Sequence, residues 1–254
     1  MTALLEVSGL AVRFGGVDAL QGVDLSVAKG SVHGLIGPNG AGKTTLLNCI
    51  GRVIEPVQGS IRFEGRDLLG LPAHALAALG IARTFQNLAL VDDATVLDNV
   101  LTGRRRREGF GIHDFLPTPA RHRLEREDRD TALAALARAG LEGHAEANVK
   151  SLPYGFRKSV EIARAMCAAP QLLMLDEPTA GLNASEMAAL ARTVHRMRES
   201  LDLTVLLITH HIEFLLEVAD RVTVLDLGRV IADGHPRLLQ TDARVRAAYI
   251  GTDE

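Results

Sequence analysis

The feature that most constrains this sequence is the octapeptide Gly-Pro-Asn-Gly-Ala-Gly-Lys-Thr at residues 37–44, which matches the pattern GxxxxGK[ST] at every fixed position. The apolar run before it predicts a buried strand, and the residues after it predict the first turns of a helix. A strand, a glycine-rich loop and a helix N-terminus form a nest of backbone N–H groups that suits a polyphosphate. A chance glycine-rich turn is the competing interpretation, and eight matching residues in this context favour nucleoside triphosphate binding.

Two side chains of this segment, the phosphate loop (37–44), are expected to supply its chemistry. Lys43 is expected to reach the β- and γ-phosphates, and the Thr44 hydroxyl is expected to hold Mg²⁺. The glycines let the backbone wrap closely around the phosphates. The predicted nucleotide contacts here are Gly37, Pro38, Asn39, Gly40, Ala41, Gly42, Lys43, Thr44 and Thr45.

The composition is that of an ordinary globular protein. The 254 residues are 47% apolar and 23% charged, and the formal net charge of −3 gives no reason to expect nucleic acid as a partner. No apolar stretch approaches the ~20 residues that span a bilayer, and the N-terminus lacks the features of a signal peptide. The two cysteines, Cys49 and Cys167, favour a reduced cytoplasmic protein without structural disulfides.

The order of apolar segments predicts an α/β fold that is interrupted by helices. Strand-like segments are expected at 5–14, 19–27, 32–36, 59–63 and 81–85, and a helical period covers 124–139. The alternation then resumes with strands at 171–175, 204–208 and 221–225 and helices at 184–200 and 211–218. We therefore expect one domain over 1–254, with a core of about 1–86 and 160–254 and a helical insertion at about 87–159.

A second constellation, Asp176 followed by Glu177, ends the apolar run Leu-Leu-Met-Leu. A strand terminus is expected to place Asp176 beside the phosphate loop, where it holds Mg²⁺ through water. Glu177 is then positioned as the general base for an attacking water. The competing interpretation, acids that merely end a strand, is weaker in a chain that also carries a complete phosphate loop.

Between these two motifs lies Ser-Leu-Pro-Tyr-Gly-Phe at 151–156, followed by a helix that contains Glu-Ile-Ala-Arg-Ala at 161–165. With Gln86 before them and Thr209-His210 after them, these motifs stand in an order that resembles the ATP-binding subunit of an ABC transporter over essentially the whole chain. The resemblance implies an ABC ATPase architecture: a RecA-like P-loop NTPase core, an antiparallel β subdomain and an inserted helical subdomain.

Within that family the chain resembles the longer ATP-binding subunit of branched-chain amino acid importers. The features are the opening segment Arg-Phe-Gly-Gly-Val-Asp-Ala-Leu at 13–20, the Leu-Pro-Tyr-Gly form of the signature, Ala-Gly-Leu-Asn at 180–183, and the long insertion after Val100. Relatives that transport amides, urea or aromatic acids share these patterns.

The resemblance also implies roles for single residues. Phe14 matches an aromatic that stacks on adenine, although packing in the core is an equally good interpretation. Gln86 matches a glutamine that contacts Mg²⁺ and links the core to the helices, and His210 matches a switch histidine that holds the γ-phosphate and orients the attacking water. The implied catalytic residues are Lys43, Gln86, Glu177 and His210, and the implied metal-holding residues are Thr44, Gln86 and Asp176.

Two ATP-binding domains of this family close head to tail around two ATP molecules. The resemblance implies that the signature of one domain, here Leu152, Pro153, Tyr154 and Gly155, faces the ATP of the other, and that 181–183 lies along the seam. Here the sequence departs from the common pattern Leu-Ser-Gly-Gly-Gln, because Pro153 replaces the serine whose hydroxyl meets the γ-phosphate. Losing one hydrogen bond to a charged group costs about 1.5–3 kcal/mol, which predicts slower turnover. Alternatively, Gly155 and the helix dipole suffice.

The implied partners are a second ATP-binding subunit, two membrane permeases and, indirectly, a solute-binding protein, with this chain peripheral at the cytoplasmic face of the membrane. No residue specifies the solute. The alternatives are an ABC ATPase for lipid export, a soluble ABC ATPase outside transport, and a degenerate regulatory ATP binder. The arginine run at 104–107 favours a solvated helix face, with anionic lipid as the competing interpretation.

Overall fold

The computed structural model describes residues 2–84, 88–104 and 118–250. Its contacts divide the chain into two compact units, one formed by Met1–Gln86 with Gln171–Glu254 and the other by Asn87–Pro170. Among the helices of these ranges, none combines the length and the apolar character needed to cross a bilayer.

The first unit contains a small antiparallel sheet. Its four strands are β1 (Ala3–Phe14), β2 (Val17–Ala28), β4 (Gln58–Phe63) and β5 (Arg66–Asp67), in the spatial order β2-β1-β4-β5. In β1, Leu5 and Val7 are buried, and a register shift at Gly9 lets Leu10 reach the same buried face. A bulge of this kind keeps the apolar residues inward along a strand of 12 residues.

The second sheet of this unit carries the strands that end near the phosphate loop. It has six strands in the order β10-β9-β3-β8-β7-β6. They are β3 (Val32–Ile36), β6 (Ile81–Arg83), β7 (Leu172–Asp176), β8 (Thr204–Ile208), β9 (Arg221–Asp226) and β10 (Arg229–Gly234). All neighbours are parallel except β9 and β10. Every residue of β3, β7 and β8 is buried, as continuous apolar runs in a parallel sheet require.

Six helices complete the described part of the first unit: α1 (Lys43–Ile50), α2 (Ala75–Ala78), α6 (Ala184–Leu201), α7 (Ile212–Val218), α8 (Leu238–Thr241) and α9 (Ala243–Ile250). The buried side chains Leu46 and Leu47 of α1 join a core cluster that includes residues from both sheets. The packing of α1 against this core fixes where the phosphate loop can lie.

The second unit is helical in its described part. It contains α3 (Val96–Leu101), α4 (Pro119–Arg138), α5 (Tyr154–Met166) and two short 3-10 helices, Glu142–His144 and Val149–Ser151. Thr95 and Asp98 cap α3 reciprocally, and the buried Asn99 amide bonds both the N–H and the C=O of Val91. These bonds tie the segment before α3 to the helix itself.

The predicted fold class is confirmed, whereas several element boundaries differ from expectation. Helix α4 begins at Pro119, capped by the Thr118 hydroxyl, rather than at 124. Helix α7 begins at Ile212, one residue after the predicted start, because His211 is its N-cap. The short elements β5, α2, β10, α8 and α9 were not anticipated. Helix α5 lies wholly in the second unit, whereas the sequence placed the return to the core at about 160.

Both cysteines are buried free thiols.

Gly103 tests the packing of the second unit. A Cβ there would lie 1.9 Å from the backbone oxygen of Arg164, so Gly103→Ala requires the backbone to move. We expect it to lower the free energy of unfolding by about 1–3 kcal/mol in urea denaturation. Gly143→Ala is the matched control, since a Cβ at Gly143 meets nothing within 4 Å, and equal stability of the two variants would contradict this packing.

Candidate active site

The carboxyl ends of β3, β8, β7 and β6 lie side by side at one edge of the six-stranded sheet. The register pairs Leu35 with Ile208 and Ile208 with Asp176, and it pairs Arg83 with Met174. Because parallel strands end at the same edge, residues that follow each strand meet there although they are far apart in sequence. The phosphate loop follows β3 at this edge.

The loop follows a path that two glycines make possible. A Cβ at Gly37 would lie 2.0 Å from the backbone oxygen of Leu225, and a Cβ at Gly42 would lie 2.7 Å from that of Ala19. Gly42 also has a φ of +100°, in the left-handed region that favours glycine. It caps α1 without a side-chain bond, and no acidic residue lies in the first turn. The helix N-terminus therefore keeps its positive character.

Lys43 is folded back onto this loop. Its ammonium Nζ donates to the carbonyl oxygens of Gly37 at 2.7 Å and Pro38 at 2.9 Å, and the residue is only 9% exposed. Burial lowers the pKa of Lys43, and the charges of Glu177 and Asp176 oppose that shift. The loop thus encloses the Lys43 ammonium with its own carbonyl oxygens. Thr44, the next residue, is exposed at the N-terminus of α1, and Thr45 is half-buried.

The two acids at the end of β7, one in the last strand position and one just after it, occupy different environments. Asp176 is 4% exposed, and its Oδ2 accepts a hydrogen bond from Arg83 Nη2 at 2.9 Å. Glu177 has a positive φ of 49°, and its backbone N–H donates to the Ile208 carbonyl. A non-glycine residue in the left-handed region is strained, and such strain clusters at functional sites. The side chain of Glu177 therefore leaves the strand end in a direction that an extended backbone does not give.

His210 meets Glu177 across neighbouring strand ends. Its Nδ1 lies 3.0 Å from Glu177 Oε2, and the imidazole is largely exposed. Two buried threonines brace this pair, because the hydroxyls of Thr179 and Thr209 lie 2.6 Å apart. Sequence reasoning missed the role of these threonines, although Thr209 lies in a motif that it singled out.

Phe14 ends β1 opposite Val17, and the two are 50% and 70% exposed. The interpretation of Phe14 as a packed core aromatic is therefore wrong. Arg13 and Asp18, the next cross-strand pair, form an ion pair at 2.6 Å that holds the two-residue turn closed. An exposed ring on a braced hairpin is free to contact a planar ligand.

The signature residues lie in the second unit. Pro153 is the N-cap of α5, and it offers the helix no side-chain cap. Tyr154 is 44% exposed, Gly155 is buried, and Leu152 is half-buried. The N-terminal N–H groups of α5 thus have no side-chain acceptor from the cap residue. Asn183, by contrast, caps α6 through a reciprocal bond with Glu186.

Two predictions lie outside the described residues. Gln86, expected in the catalytic and metal-holding sets, is one of them, and arginines 105–107 are the other. Arg104 is described, and its Nε donates to Asp128 Oδ1 at 2.6 Å within the second unit. Arg104 lies after the end of α3 rather than in a helix, and its half-buried, paired side chain differs from the solvated face that the sequence suggested.

The strand–loop–helix unit and its neighbouring strand-end acids define a P-loop nucleotide-binding ATPase. A family model described as ABC transporter matches residues 20–180. The chain therefore belongs to the ABC transporter family, as one of its ATP-binding ATPase cassettes, and the family resemblance is confirmed.

Individual relatives extend over the whole chain. The chain is 40% identical to the high-affinity branched-chain amino acid transport ATP-binding protein BraF of Pseudomonas aeruginosa over 249 residues, 98% of each chain. It is 38% identical to the corresponding protein LivG of Escherichia coli, again over 98% of each. Among solved structures, the ADP conformation of MJ1267, an ATP-binding cassette of an ABC transporter, superposes with a TM-score of 0.84 at 29% identity, covering 99% of this chain and 100% of that one.

Gly37 gives the sharpest test of the loop. Gly37→Ala places a Cβ against the Leu225 carbonyl and displaces the carbonyl that holds Lys43. An overpacking cost of about 1–3 kcal/mol, borne by the nucleotide-binding conformation of the loop, corresponds to about 5- to 150-fold weaker ATP binding, measured with a fluorescent ATP analogue. Gly16→Ala is the control, since a Cβ there meets nothing within 4 Å. Unchanged ATP affinity in Gly37→Ala would show that the loop does not bind the nucleotide.

Proposed function

We propose that this chain hydrolyses MgATP to power the import of branched-chain amino acids, or a related small polar solute, through separate membrane permeases. The observation that carries the proposal is the 40% identity to a branched-chain amino acid transport ATP-binding protein over 98% of both chains. The clustering of Lys43, Asp176, Glu177 and His210 at one sheet edge supports the ATPase part.

The residues at this edge fit a magnesium nucleotide by their donor chemistry. The Thr44 hydroxyl would serve Mg²⁺ directly and the Asp176 carboxylate through water, and both offer the hard oxygen atoms that Mg²⁺ prefers. In the described ranges no group of three or more His, Cys, Asp or Glu side chains is arranged to hold a metal alone. That fits Mg²⁺, which usually takes one or two protein ligands and completes its shell with water and phosphate oxygens. Bound there, Mg²⁺ neutralises charge on the transferred phosphoryl group.

Lys43 has the first role when ATP binds. Its ammonium exchanges the carbonyls of Gly37 and Pro38 for phosphate oxygens, and the open N-terminus of α1 adds backbone donors. Phe14 stacks on the adenine from the β1–β2 hairpin. The nucleotide contacts proposed from the sequence, from Gly37 to Thr45, remain part of this site.

Glu177 and His210 divide the hydrolytic step between them. Glu177 takes the proton from the attacking water while that oxygen bonds to the γ-phosphorus and the bond to ADP breaks. His210 holds the γ-phosphate and orients the water. The 3.0 Å contact between the two side chains keeps the base aligned with the histidine. Gln86 helps to hold Mg²⁺ and links the core to the helical subdomain.

The proposed working unit is a pair of ATP-binding domains joined to two permeases. The signature residues of each domain, at 152–155, face the nucleotide of the other domain. Asn87–Pro170 is proposed as the helical subdomain that passes the motion to a permease, with the cassette peripheral at the cytoplasmic face of the membrane. A solute-binding protein delivers the solute to the permeases.

Glu177→Gln tests the general base. The amide cannot accept the proton, so hydrolysis is expected to fall by about a hundredfold or more while ATP still binds. Glu217→Gln, an exposed change on α7, is the control with the same loss of charge. Phosphate release and nucleotide affinity are measured on both variants. Wild-type hydrolysis by Glu177→Gln would rule out this assignment.

Pro153→Ser tests the signature. A serine supplies the hydroxyl that the proline lacks, and a charged hydrogen bond of about 1.5–3 kcal/mol predicts faster ATP turnover in the assembled complex. Serine also caps α5, so Pro153→Ala separates the loss of proline from the gain of the hydroxyl. Equal rates and affinities for Pro153→Ser and wild type would mean that Gly155 and the helix dipole suffice.

The transporter assignment is tested by tagging the chain in its native host and identifying what co-purifies from gently solubilised membranes. Two polytopic permeases and a second, shorter ATP-binding subunit are the expected partners. Recovery only from the soluble fraction, with ribosomes, DNA or no partner, would favour a soluble ABC ATPase. Recovery with a lipid exporter would favour that alternative. Either result would overturn the assignment of this chain to an importer.

A further inference from the structure

Arg83 ends β6 and bridges two elements of the candidate site. Its Nη2 donates to Asp176 Oδ2 at 2.9 Å, and its Nη1 donates to Asn48 Oδ1 at 2.7 Å. The Arg83 and Asp176 side chains are 11% and 4% exposed. One buried guanidinium therefore joins the last residue of β7 to α1, the helix that begins at Lys43.

The strand order sets the direction of this contact. In the sheet, β6 lies beside β7 on the side away from β8 and β3, and the phosphate loop follows β3. Arg83 therefore approaches Asp176 from the side opposite the loop and binds the carboxylate through Oδ2. This bond engages Oδ2 of the carboxylate and not Oδ1.

The Asp176 carboxylate needs such a partner. A buried charge is costly unless it is paired and hydrogen-bonded, and an unpaired carboxylate can also rotate about χ2. The planar guanidinium presents donors in a fixed fork, so it holds Asp176 and Asn48 at once. Asn48 lies five residues after Lys43 on α1, so the fork also fixes the distance between that helix and the end of β7.

We propose that Arg83 is a positioning residue for the nucleotide-bound metal: it holds Asp176 by Oδ2 so that Oδ1 faces the Mg²⁺ of ATP. This inference rests on the proposed function, because it assumes that Asp176 serves Mg²⁺. Arg83 does not contact the metal itself. Its effect is on how much Mg²⁺ strengthens ATP binding, rather than on ATP binding without metal.

The test compares two dissociation constants of ATP, one in EDTA and one in saturating Mg²⁺, measured by calorimetry on the full chain. Their ratio reports the contribution of the metal. Loss of a partner that orients a metal ligand weakens metal binding by about 10–100-fold, so Arg83→Gln is expected to lower the ratio about tenfold or more. Arg83→Lys is expected to restore part of it, since lysine can pair with Asp176 but lacks the fork that also holds Asn48.

Arg52→Gln is the matched control. Arg52 is equally buried, at 10% exposure, but it donates to the Leu71 carbonyl and lies near Glu55 instead of Asp176. The ratio of the two ATP dissociation constants in Arg52→Gln is expected to equal that of the wild-type protein. Thermal melts of every variant show that the protein remains folded, and Arg83→Lys keeps the test usable if Arg83→Gln does not fold.

Three results would overturn the inference. Wild-type values of both dissociation constants in Arg83→Gln would show that Asp176 needs no such support. Equal losses in EDTA and in Mg²⁺ would make Arg83 a structural residue only. A higher ratio would show that Arg83 competes with the metal for Asp176. Lys43→Ala separates these outcomes from failure of the proposed function: if it too leaves ATP binding unchanged, the nucleotide site itself is misassigned.

Discussion

The buried ammonium of Lys43, held by the carbonyls of Gly37 and Pro38, is the interaction on which the rest of the site depends. A loop can turn its carbonyls toward a cation only if its backbone passes very close to neighbouring segments, and Gly37 and Gly42 permit that approach. Because the lysine is already desolvated and ordered, phosphate oxygens can replace the carbonyls without a large rearrangement. The same loop geometry that holds the ammonium therefore places it where a phosphate would need it.

The parallel sheet supplies the other half of the arrangement. Asp176 and Glu177 stand at the end of β7, and His210 follows β8, the neighbouring strand. The register of these two strands brings His210 Nδ1 to 3.0 Å from Glu177 Oε2. A hydroxyl–hydroxyl bond joins the same two segments, between Thr179, two residues after Glu177, and Thr209, one residue before His210. Arg83, at the end of β6, adds a bond to Asp176 from the opposite side of the strand. Each functional side chain is therefore oriented by a neighbouring strand end.

The parts of this account that the sequence predicts are those with local signals. The phosphate loop, the acids after an apolar strand, and the alternation of strands and helices are each visible within about twenty residues. The hairpin of β9 and β10 was missed because its turn, Leu227-Gly228, is not one of the usual turn pairs, although both residues have positive φ. Arg83 was missed because its partners Asn48 and Asp176 lie 35 and 93 residues away. The solute has no signal here because the chain is not expected to touch it.

The most direct test of the account is a crystal structure of the Glu177→Gln variant with MgATP, in which hydrolysis is blocked. The account predicts that Lys43 Nζ leaves the carbonyls of Gly37 and Pro38 for the β- and γ-phosphates, while Asp176 faces Mg²⁺ and keeps its bond to Arg83. A triphosphate bound elsewhere, with Lys43 still on those two carbonyls, would contradict the central claim that this loop is the ATP site.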